Sequence, residues 1–318
     1  MIIDLPDTTV AAISKTLVEL RDEGGAVALG RVLTLVIVTT PEHEESAIDA
    51  ANAASREHPM RLIVLSSPRD AAPDGPSRLD AQIRVGGDAG ASEVIVIRGQ
   101  GEAAEDQESL VTGLLLPDAP VVAWWCSTTP DRVSESPIGR IATRRITDVA
   151  AGDDAWSALD HLAETLAPGD TDLAWTRTTL WRSQLAAVLD QPPYEPVTAI
   201  RIVGKANFAS LILMAAWLAQ ALEAPVTIDE PGPDSPGYGL DAVILTRASG
   251  QTALVRLTQQ TARLTQPGQP PHEITIPVRT NRECLAEELR RLDPDEVFQR
   301  VVTSGLALVR PTTRTVES

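Results

Sequence analysis

The chain has 318 residues, of which 43% are hydrophobic and 22% charged, and this length and composition predict two globular domains with ordinary cores. Its 44 acidic and 27 basic residues give a formal net charge of −17, which argues against nucleic acid or an anionic membrane surface as a partner. No apolar run approaches the ~20 residues of a membrane span and no signal-peptide pattern is visible, so we expect a cytoplasmic protein.

The first part of the chain alternates predicted helices with strongly apolar strands. A helix capped by Asp7 or Thr8 comes first, and the almost unbroken apolar run at 32–38 then predicts a central strand covered on both faces. A helix that starts at Thr40 and a strand at 61–67 complete a strand–helix–strand unit. Because the connection from this helix to the second strand is short, the two strands are predicted to be parallel.

Beyond this unit the pattern changes to strict alternation at 79–85, which predicts a strand with one wet face, as at an antiparallel edge. A loop at 68–77 and a turn at 86–88 flank it. The remaining predicted elements of this half are strands at 93–98, 120–126 and 145–149 and helices at about 103–116 and 153–166.

The segment 167–171, with the sequence APGDT, is the predicted boundary between domains 1–167 and 168–318. The second domain is predicted to contain a helix at 173–190, a buried strand at 197–203, an apolar helix capped by Asn207, a strand at 225–228, three or four antiparallel strands at about 240–278 and helices at 282–291 and 295–304. The sequence therefore predicts two α/β domains, each with a mixed parallel and antiparallel sheet flanked by helices.

The sequence carries no recognisable catalytic or metal-binding motif. Its four histidines have no HxH, HExxH or HxxE spacing, and no glycine-rich nucleotide loop or nucleophile elbow follows a predicted strand. The two cysteines, Cys126 and Cys284, are far apart, and we expect both to be reduced. We therefore expect no metal, no cofactor and no enzymatic activity.

The turn after the strand at 197–203 is a candidate anion site. Gly204, Lys205 and Asn207 lie there, and a helix N-terminus beside a lysine can hold an anion through backbone N–H groups and the helix dipole. The alternative is that Gly204 makes the turn, Asn207 caps the helix and Lys205 is solvated. If the anion site is real, the chain could instead be an α/β enzyme or sensor that binds a sugar phosphate or a nucleotide at this turn.

Tryptophan is the unusual component, since it supplies six of the ten aromatic residues. Trp124 and Trp125 are adjacent on a predicted strand, so they point to opposite faces. Trp181 lies on an apolar helix face that also holds Leu185, Val188 and Leu189.

Three further residues near this helix, Trp175, Arg177 and Arg182, cannot all lie on that apolar face. Tryptophan and arginine are enriched at binding hot spots, so some of these side chains could contact a partner protein. The alternative is that the tryptophans belong to the core and that the arginines pair with carboxylates.

Two segments carry a resemblance to a known family: LLLPDAPVVAWW at 114–125 and DLAWTRTTLWR at 172–182. Together they resemble the glucose-6-phosphate dehydrogenase assembly protein family, OpcA. The segments at 31–38, 58–65 and 211–222 are also similar to it, and the resemblance extends from about residue 5 to residue 305.

The resemblance implies a non-enzymatic partner of glucose-6-phosphate dehydrogenase, the first enzyme of the oxidative pentose phosphate pathway. Such a protein would act as an assembly factor and allosteric activator that favours the active oligomer. The heavy use of alanine and arginine is also typical of a GC-rich bacterial genome. The residues that the resemblance and the composition argument together assign to partner binding are Trp124, Trp125, Trp175, Arg177, Trp181 and Arg182.

Overall fold

The computed structural model describes residues 1–24, 31–68, 77–86, 93–151, 154–233 and 235–310. The chain folds into an N-terminal unit (Met1–Asp148, Thr165–Leu173 and Thr280–Pro294) and a C-terminal unit (Val149–Glu164, Ala174–Arg279 and the described chain from Asp295 onward). The two units thus exchange segments along the sequence, and a single boundary between residues 167 and 168 stays a prediction. The predicted loop at 68–77 and turn at 86–88 lie mostly outside the described residues.

The α-helices of the described residues are α1 Val10–Gly24, α2 Glu44–Ala54, α3 Gln107–Thr112, α4 Pro137–Ile141, α5 Ala155–Thr165, α6 Leu173–Thr176, α7 Thr179–Leu189, α8 Ala209–Leu222, α9 Asn281–Glu288 and α10 Glu296–Arg300. Short 3-10 turns lie at Gly101–Ala104, Val133–Glu135, Val149–Ala151 and Leu306–Leu308, and a π-helical turn at Val301–Gly305. None of the helices described is both long enough and apolar enough to cross a bilayer.

The N-terminal unit is built on a sheet of eight strands, which are β1 Ile2–Leu5, β2 Leu33–Thr39, β3 Met60–Ser66, β4 Arg78–Arg84, β5 Glu93–Gln100, β6 Val121–Trp125, β7 Arg144–Thr147 and β8 Asp170–Asp172. Their spatial order is β1-β4-β5-β3-β2-β6-β7-β8. In this spatial order the six strands from β5 to β8 are parallel. Strand β4 pairs with β5 in the antiparallel direction, and β1 pairs with β4 in the antiparallel direction. The parallel part has the doubly wound strand order. From β2 the strands are added first toward β5 and then, starting with β6, on the other side of β2.

Both faces of this sheet are covered, which explains the continuous apolar runs of β2 and β3. Leu35 and Ile37 pack on one face with α2 and α9, while Val36 packs on the other with α1. Trp124 belongs to the first of these cores and Trp125 to the second, which confirms that they point to opposite faces. The predicted parallel pairing of the first two apolar strands is also confirmed.

The C-terminal unit has a second mixed sheet, with strands β9 Ala199–Gly204, β10 Val226–Asp229, β11 Leu240–Arg247, β12 Gly250–Arg256, β13 Thr261–Thr265 and β14 His272–Thr275. The spatial order is β10-β9-β11-β12-β13-β14. Only β9 and β10 are parallel, and the four strands from β11 onward are antiparallel. Helix α8 is buried along most of its length against this sheet. The predicted α/β fold with mixed sheets is therefore confirmed.

Two predictions about strands were wrong. The alternating strand β4 is not the sheet edge, because the short strand β1 pairs with it from Ile2 to Leu5 and forms the edge itself. The strand β9 is not buried on both faces, since Ala199 and Arg201 are exposed while Ile200 and Ile202 lie in the core. A strand in an antiparallel pair, such as β9 beside β11, needs only one of its faces covered.

Helix starts also differ from the prediction. The hydroxyl of Thr9 accepts from the N–H of Ala12, so α1 begins after Thr9 rather than after Asp7 or Thr8. Thr40 forms a turn in which its hydroxyl bonds with His43 Nδ1, and α2 begins at Glu44. In each case a local side-chain bond decides where the first helical turn starts.

Two predicted helices are shorter or interrupted. The helix expected at 103–116 is a 3-10 turn followed by α3, whose N-cap Asp106 accepts from the N–H of Ser109. The helix expected at 173–190 breaks between α6 and α7, where the Thr178 hydroxyl donates to the carbonyl of Trp175. Threonine hydroxyls compete with the backbone in this way and interrupt helices.

Candidate functional site

The structure places Trp124 and Trp125 inside the N-terminal unit, at the end of strand β6. Their side chains are only 1% and 3% exposed. Each contributes a large aromatic surface to one face of the sheet. Trp124 and Trp125 also border one pocket each, and partner binding by these two residues stays a prediction.

The other four predicted residues lie in the C-terminal unit, around helix α7. Trp175 is 1% exposed and stacks on Phe298, with ring centres 5.9 Å apart. Its indole Nε1 donates to Asp295 Oδ2 at 2.8 Å. Both ends of the indole are therefore fixed, one by an aromatic contact and the other by a charge-assisted hydrogen bond.

Arg182 covers the Trp175 ring, since its guanidinium carbon lies 3.5 Å from the ring centre. The Nε atom of Arg182 donates to the hydroxyl of Thr178 at 3.0 Å and its Nη2 atom donates to that of Thr179 at 3.1 Å. These contacts hold a half-buried guanidinium in one orientation at the surface of the unit. We call Trp175, Arg182, Asp295 and Phe298 the Trp175 cluster.

Trp181 lies on the opposite, inward face of α7. It packs with Leu185, Val188 and the partly buried Leu189, which confirms the predicted apolar face. The guanidinium of Arg256 lies 5.2 Å from the centre of its ring. Arg177 stands in the α6–α7 connection and is half-buried. The sequence did not single out Arg256, because an isolated arginine on a strand gives no signal of the ring that it will contact.

The Gly204 turn has a structural explanation. A Cβ atom at Gly204 would collide with the carbonyl oxygen of Gly239, so the close approach of these two segments requires glycine. The N–H of Lys205 donates to that same carbonyl at 3.0 Å. The N–H of Ala206 lies 3.4 Å from the Glu230 carboxylate, so a negative group of the protein already stands at this turn.

Asn207 does not cap α8 as predicted. Helix α8 begins at Ala209 after the N-cap Phe208, and Asn207 Oδ1 accepts instead from the N–H of Ala155 at the start of α5. Phe208 thus holds the N-cap position that was predicted for Asn207. An anion site formed by Gly204, Lys205 and Asn207 stays a prediction.

The crevice between the carboxyl ends of β2 and β6 is where doubly wound sheets bind their ligands. One pocket there, of about 290 Å³, is lined by Thr39, Thr40 and Ser127. A second, of about 430 Å³, is lined by His43, Cys126 and other residues of the N-terminal unit. The crevice thus has the shape of a ligand site.

The turn after β2 carries acidic residues and no glycine. The chain after β2 reads Thr-Pro-Glu-His and leads into the first turn of α2, which holds Glu44 and Glu45. Glu44 is buried and paired with Arg98, and Arg84 Nη1 donates to Glu45 at 2.9 Å. That hydrogen bond lowers the pKa of Glu45. The start of α2 is therefore bordered by two carboxylate–arginine pairs.

Cys126 also borders this crevice. Its Sγ atom lies 3.7 Å from the carbonyl oxygen of Val38, and burial raises the pKa of its thiol. A raised pKa favours the unreactive thiol over the thiolate. Cys284 lies in the core of the same unit with no exposed surface. Across the part of the chain that the structure describes, no group of three or more His, Cys, Asp and Glu side chains could hold a metal ion.

The fold defines a protein of two α/β units, the first with a doubly wound sheet and the second with a mainly antiparallel one. Residues 51–164 match the family model described as the glucose-6-phosphate dehydrogenase subunit N-terminal domain, and residues 168–302 match that of the C-terminal domain. The chain therefore belongs to the glucose-6-phosphate dehydrogenase assembly protein family, OpcA, as its sequence resemblance predicted.

The solved structures that are similar to this chain include three dehydrogenases or oxidoreductases. Glucose-6-phosphate 1-dehydrogenase from Mycobacterium avium is 12% identical, with 84% of this chain and 90% of that chain covered and a TM-score of 0.43. Myo-inositol dehydrogenase from Lactobacillus casei is 11% identical, with 87% and 93% covered and a TM-score of 0.41. An oxidoreductase from Sinorhizobium meliloti is 10% identical, with 85% and 86% covered and a TM-score of 0.41. At these values the likeness carries no argument about activity, and the search of curated proteins found no match.

Proposed function

We propose that this chain is a non-catalytic assembly factor that binds glucose-6-phosphate dehydrogenase in the bacterial cytoplasm. The observation that carries the proposal is the family match over residues 51–164 and 168–302. Binding would favour the active oligomer of the dehydrogenase and thereby raise flux into the oxidative pentose phosphate pathway. Such activation can be no larger than the difference in affinity of this chain for the active and inactive states.

The turn that follows β2 supports a role without catalysis. A dinucleotide-binding enzyme of this strand order has a glycine-rich turn here, which exposes backbone N–H groups to phosphate. In this chain the turn reads Thr-Pro-Glu-His, and the two carboxylates that follow it, Glu44 and Glu45, are paired with arginines of the chain itself. A protein with this turn is better suited to modifying the activity of an enzyme than to performing hydride transfer itself.

The Trp175 cluster and Arg177 form the part of the predicted site that we propose meets the dehydrogenase. The indole of Trp175 is covered, so its role is to position Arg182, whose guanidinium is half-buried. A rigid, partly desolvated guanidinium pairs with carboxylates more strongly than a flexible one, since less conformational entropy is lost on binding. We therefore assign partner contact to Arg177 and Arg182 and assign support to Trp175 and Trp181.

The test is a titration of glucose-6-phosphate dehydrogenase from the same organism with this chain, with gel filtration of the mixture. Saturable activation and co-elution support the proposal, whereas no activation and no complex under both reducing and oxidising conditions would refute it. Arg182→Ala should weaken activation about tenfold or more, the loss typical of a hot-spot arginine. Arg263→Ala is the matched control, because Arg263 is an exposed arginine of the same unit that pairs with Glu273 on the neighbouring strand.

A further inference from the structure

A small pocket in the C-terminal unit brings three arginines together at the start of helix α8. Arg177, Arg256 and Arg279 line it, with Ser210 and Tyr238 beside them. They come from the α6–α7 connection, from strand β12 and from the segment that precedes α9, so only the tertiary fold unites them. In a chain whose formal net charge is −17, a concentration of guanidinium groups around one cavity indicates a binding site for an oxyanion.

Arg256 is the most deeply buried of the three, with 4% of its surface exposed. Its Nη1 atom donates to the carbonyl of Ile276 at 2.7 Å, and its guanidinium faces the ring of Trp181. Burial lowers the pKa of Arg256, and the charge of Asp241 partly offsets this effect. No carboxylate forms an ion pair with Arg256 within the described ranges of the chain. The same Nη1 atom also donates to the carbonyl of Thr258 at 3.2 Å. Carbonyl oxygens carry no full negative charge, so an anion in the pocket would reduce the cost of burying this cation.

The start of α8 adds hydrogen-bond donors to the same pocket. Its N-cap, Phe208, makes no side-chain capping bond. The N–H groups of Leu211 and Ile212 donate to the Phe208 carbonyl, so those of Ala209 and Ser210 are the ones with no acceptor within the helix. Ser210, the second residue of the helix, is 1% exposed, and its hydroxyl has no hydrogen-bond partner among the residues that the structure describes. Buried donors are almost always satisfied in native proteins, so an unsatisfied hydroxyl in an arginine-lined pocket points to a ligand.

The size of the pocket limits what can enter. Its cavity volume is about 40 Å³. A single water needs about 10–15 Å³ on a comparable measure, so the cavity holds a group of a few heavy atoms. Pockets that enclose a whole small molecule are about 300–1,000 Å³. The cavity can therefore enclose only the anionic group of a ligand, and the remainder of a larger ligand would stay outside it.

We propose that this pocket binds the phosphate group of a small molecule, with Arg177, Arg256 and Arg279 as charge partners and Ser210 with the start of α8 as hydrogen-bond donors. A tetrahedral phosphate offers oxygens in several directions, which suits donors that converge from three segments of chain. A planar carboxylate would satisfy fewer of them. This site goes beyond the proposed assembly function: it shares Arg177 with the proposed contact surface, but phosphate binding requires no dehydrogenase.

The test uses the isolated full-length chain and follows its melting temperature as inorganic phosphate replaces chloride at constant ionic strength. A ligand that binds only the folded state raises the melting temperature in proportion to the logarithm of its concentration above the Kd. We expect the melting temperature to follow this dependence for a single site over the whole range of phosphate concentration. Arg177→Gln should weaken the apparent affinity for phosphate about tenfold or more, as loss of a charged hydrogen bond does. Arg263→Gln, the exposed control, should bind phosphate as the unmodified chain does.

Ser210→Ala keeps the test decisive if an arginine variant fails to fold. This change removes a hydroxyl that makes no hydrogen bond in the described structure, so the melting temperature without phosphate should not fall. Its affinity for phosphate should fall several-fold. An affinity equal to that of the unmodified chain in both Arg177→Gln and Ser210→Ala would overturn the proposal.

A second arm identifies the source of the phosphate group. A hexose 6-phosphate that binds more tightly than inorganic phosphate indicates a phosphate ester as ligand, whereas equal or weaker binding indicates free phosphate, and both results support the site. Acetate that stabilises the chain as strongly as phosphate, at the same ionic strength, would overturn the assignment of phosphate as the ligand. No dehydrogenase is present in these measurements, so their failure is distinct from a failure of the assembly proposal.

Discussion

The guanidinium of Arg182 lies 3.5 Å above the ring of Trp175, so a half-buried charge is supported by a fully covered indole. The same indole bonds to Asp295, the N-cap residue of α10, whose other carboxylate oxygen accepts from the N–H groups of Val297 and Phe298. Helices α7 and α10 are therefore linked through one tryptophan. The cluster combines a structural role, carried by the ring, with a surface role that we propose for the arginine.

This division of roles predicts different outcomes for two substitutions. Trp175→Ala should lower the free energy of unfolding by about 3–5 kcal/mol, as expected for a buried tryptophan. Arg182→Ala should lower it by only about 1 kcal/mol, the value of an incompletely buried cation–π contact. Chemical denaturation with matched activation assays of glucose-6-phosphate dehydrogenase measures both quantities.

The informative comparison is between the loss of activation and the loss of stability in each variant. We expect Arg182→Ala to lose activation while it remains folded at the assay temperature, and Trp175→Ala to lose activation together with stability. Trp175→Phe is the control, since it keeps the aromatic contact with Phe298 and removes only the bond to Asp295. If Arg182→Ala lost activation only in proportion to unfolding, Arg182 would have a structural role alone.

The features that the sequence predicted well are those with a strong periodic signal. The apolar run of β2 exceeds what a half-exposed strand would carry, and it correctly indicated a strand covered on both faces. The alternation at 79–85 correctly indicated a strand with one wetter face. In each case the burial of a whole strand determines the type of residue at every position.

The features that the sequence could not predict depend on tertiary contacts of single residues. Strand β1 has four residues and β8 has three, and the polar sequence of β8 gives no alternation to detect. Asn207 was expected to cap its own helix, but Phe208 separates it from α8 and its side chain bonds to the start of α5 instead. The convergence of Arg256 and Arg279 on one pocket likewise follows from strand pairing and has no sequence motif.

Arg144 and Glu288 form a buried ion pair in the N-terminal unit, with side chains 4% and 7% exposed. The Nη1 atom of Arg144 also donates to the carbonyl of Asp293 at 2.7 Å. Glu288→Gln should lower the free energy of unfolding by about 3–5 kcal/mol, because it leaves a buried guanidinium without its charge partner. Equilibrium denaturation in urea provides the measurement.

An exposed pair in the same unit provides the control for this prediction. Arg290 and Glu57 also join α9 to the end of α2, but both side chains are at least half exposed. Glu57→Gln should therefore change the stability by no more than the error of the measurement. Equal losses in the two variants would show that burial does not determine the strength of these pairs.

The thiol of Cys126 should titrate above the ordinary range of cysteine, because burial raises its pKa. The hydrogen bond with Thr39 acts in the opposite direction and is the weaker effect. The folded state thus disfavours the thiolate, so this cysteine contributes stability at pH values below the unfolded pKa and loses that contribution as the pH rises through the folded one. We expect the rate of alkylation by iodoacetamide to have its midpoint at a higher pH than that of a free cysteine.

Mass spectrometry of tryptic peptides separates this reaction from that of Cys284, which should stay unmodified in the folded chain because it has no exposed surface. Thr39→Val removes the hydrogen bond that lowers the thiol pKa while it keeps the β-branched shape, so the midpoint for Cys126 should move further upward. Both cysteines should react at the rate of a free thiol in denaturant. A midpoint below pH 8 in the folded chain would mean that the thiolate is stabilised, and Cys126 would then become a candidate for redox control of the assembly function.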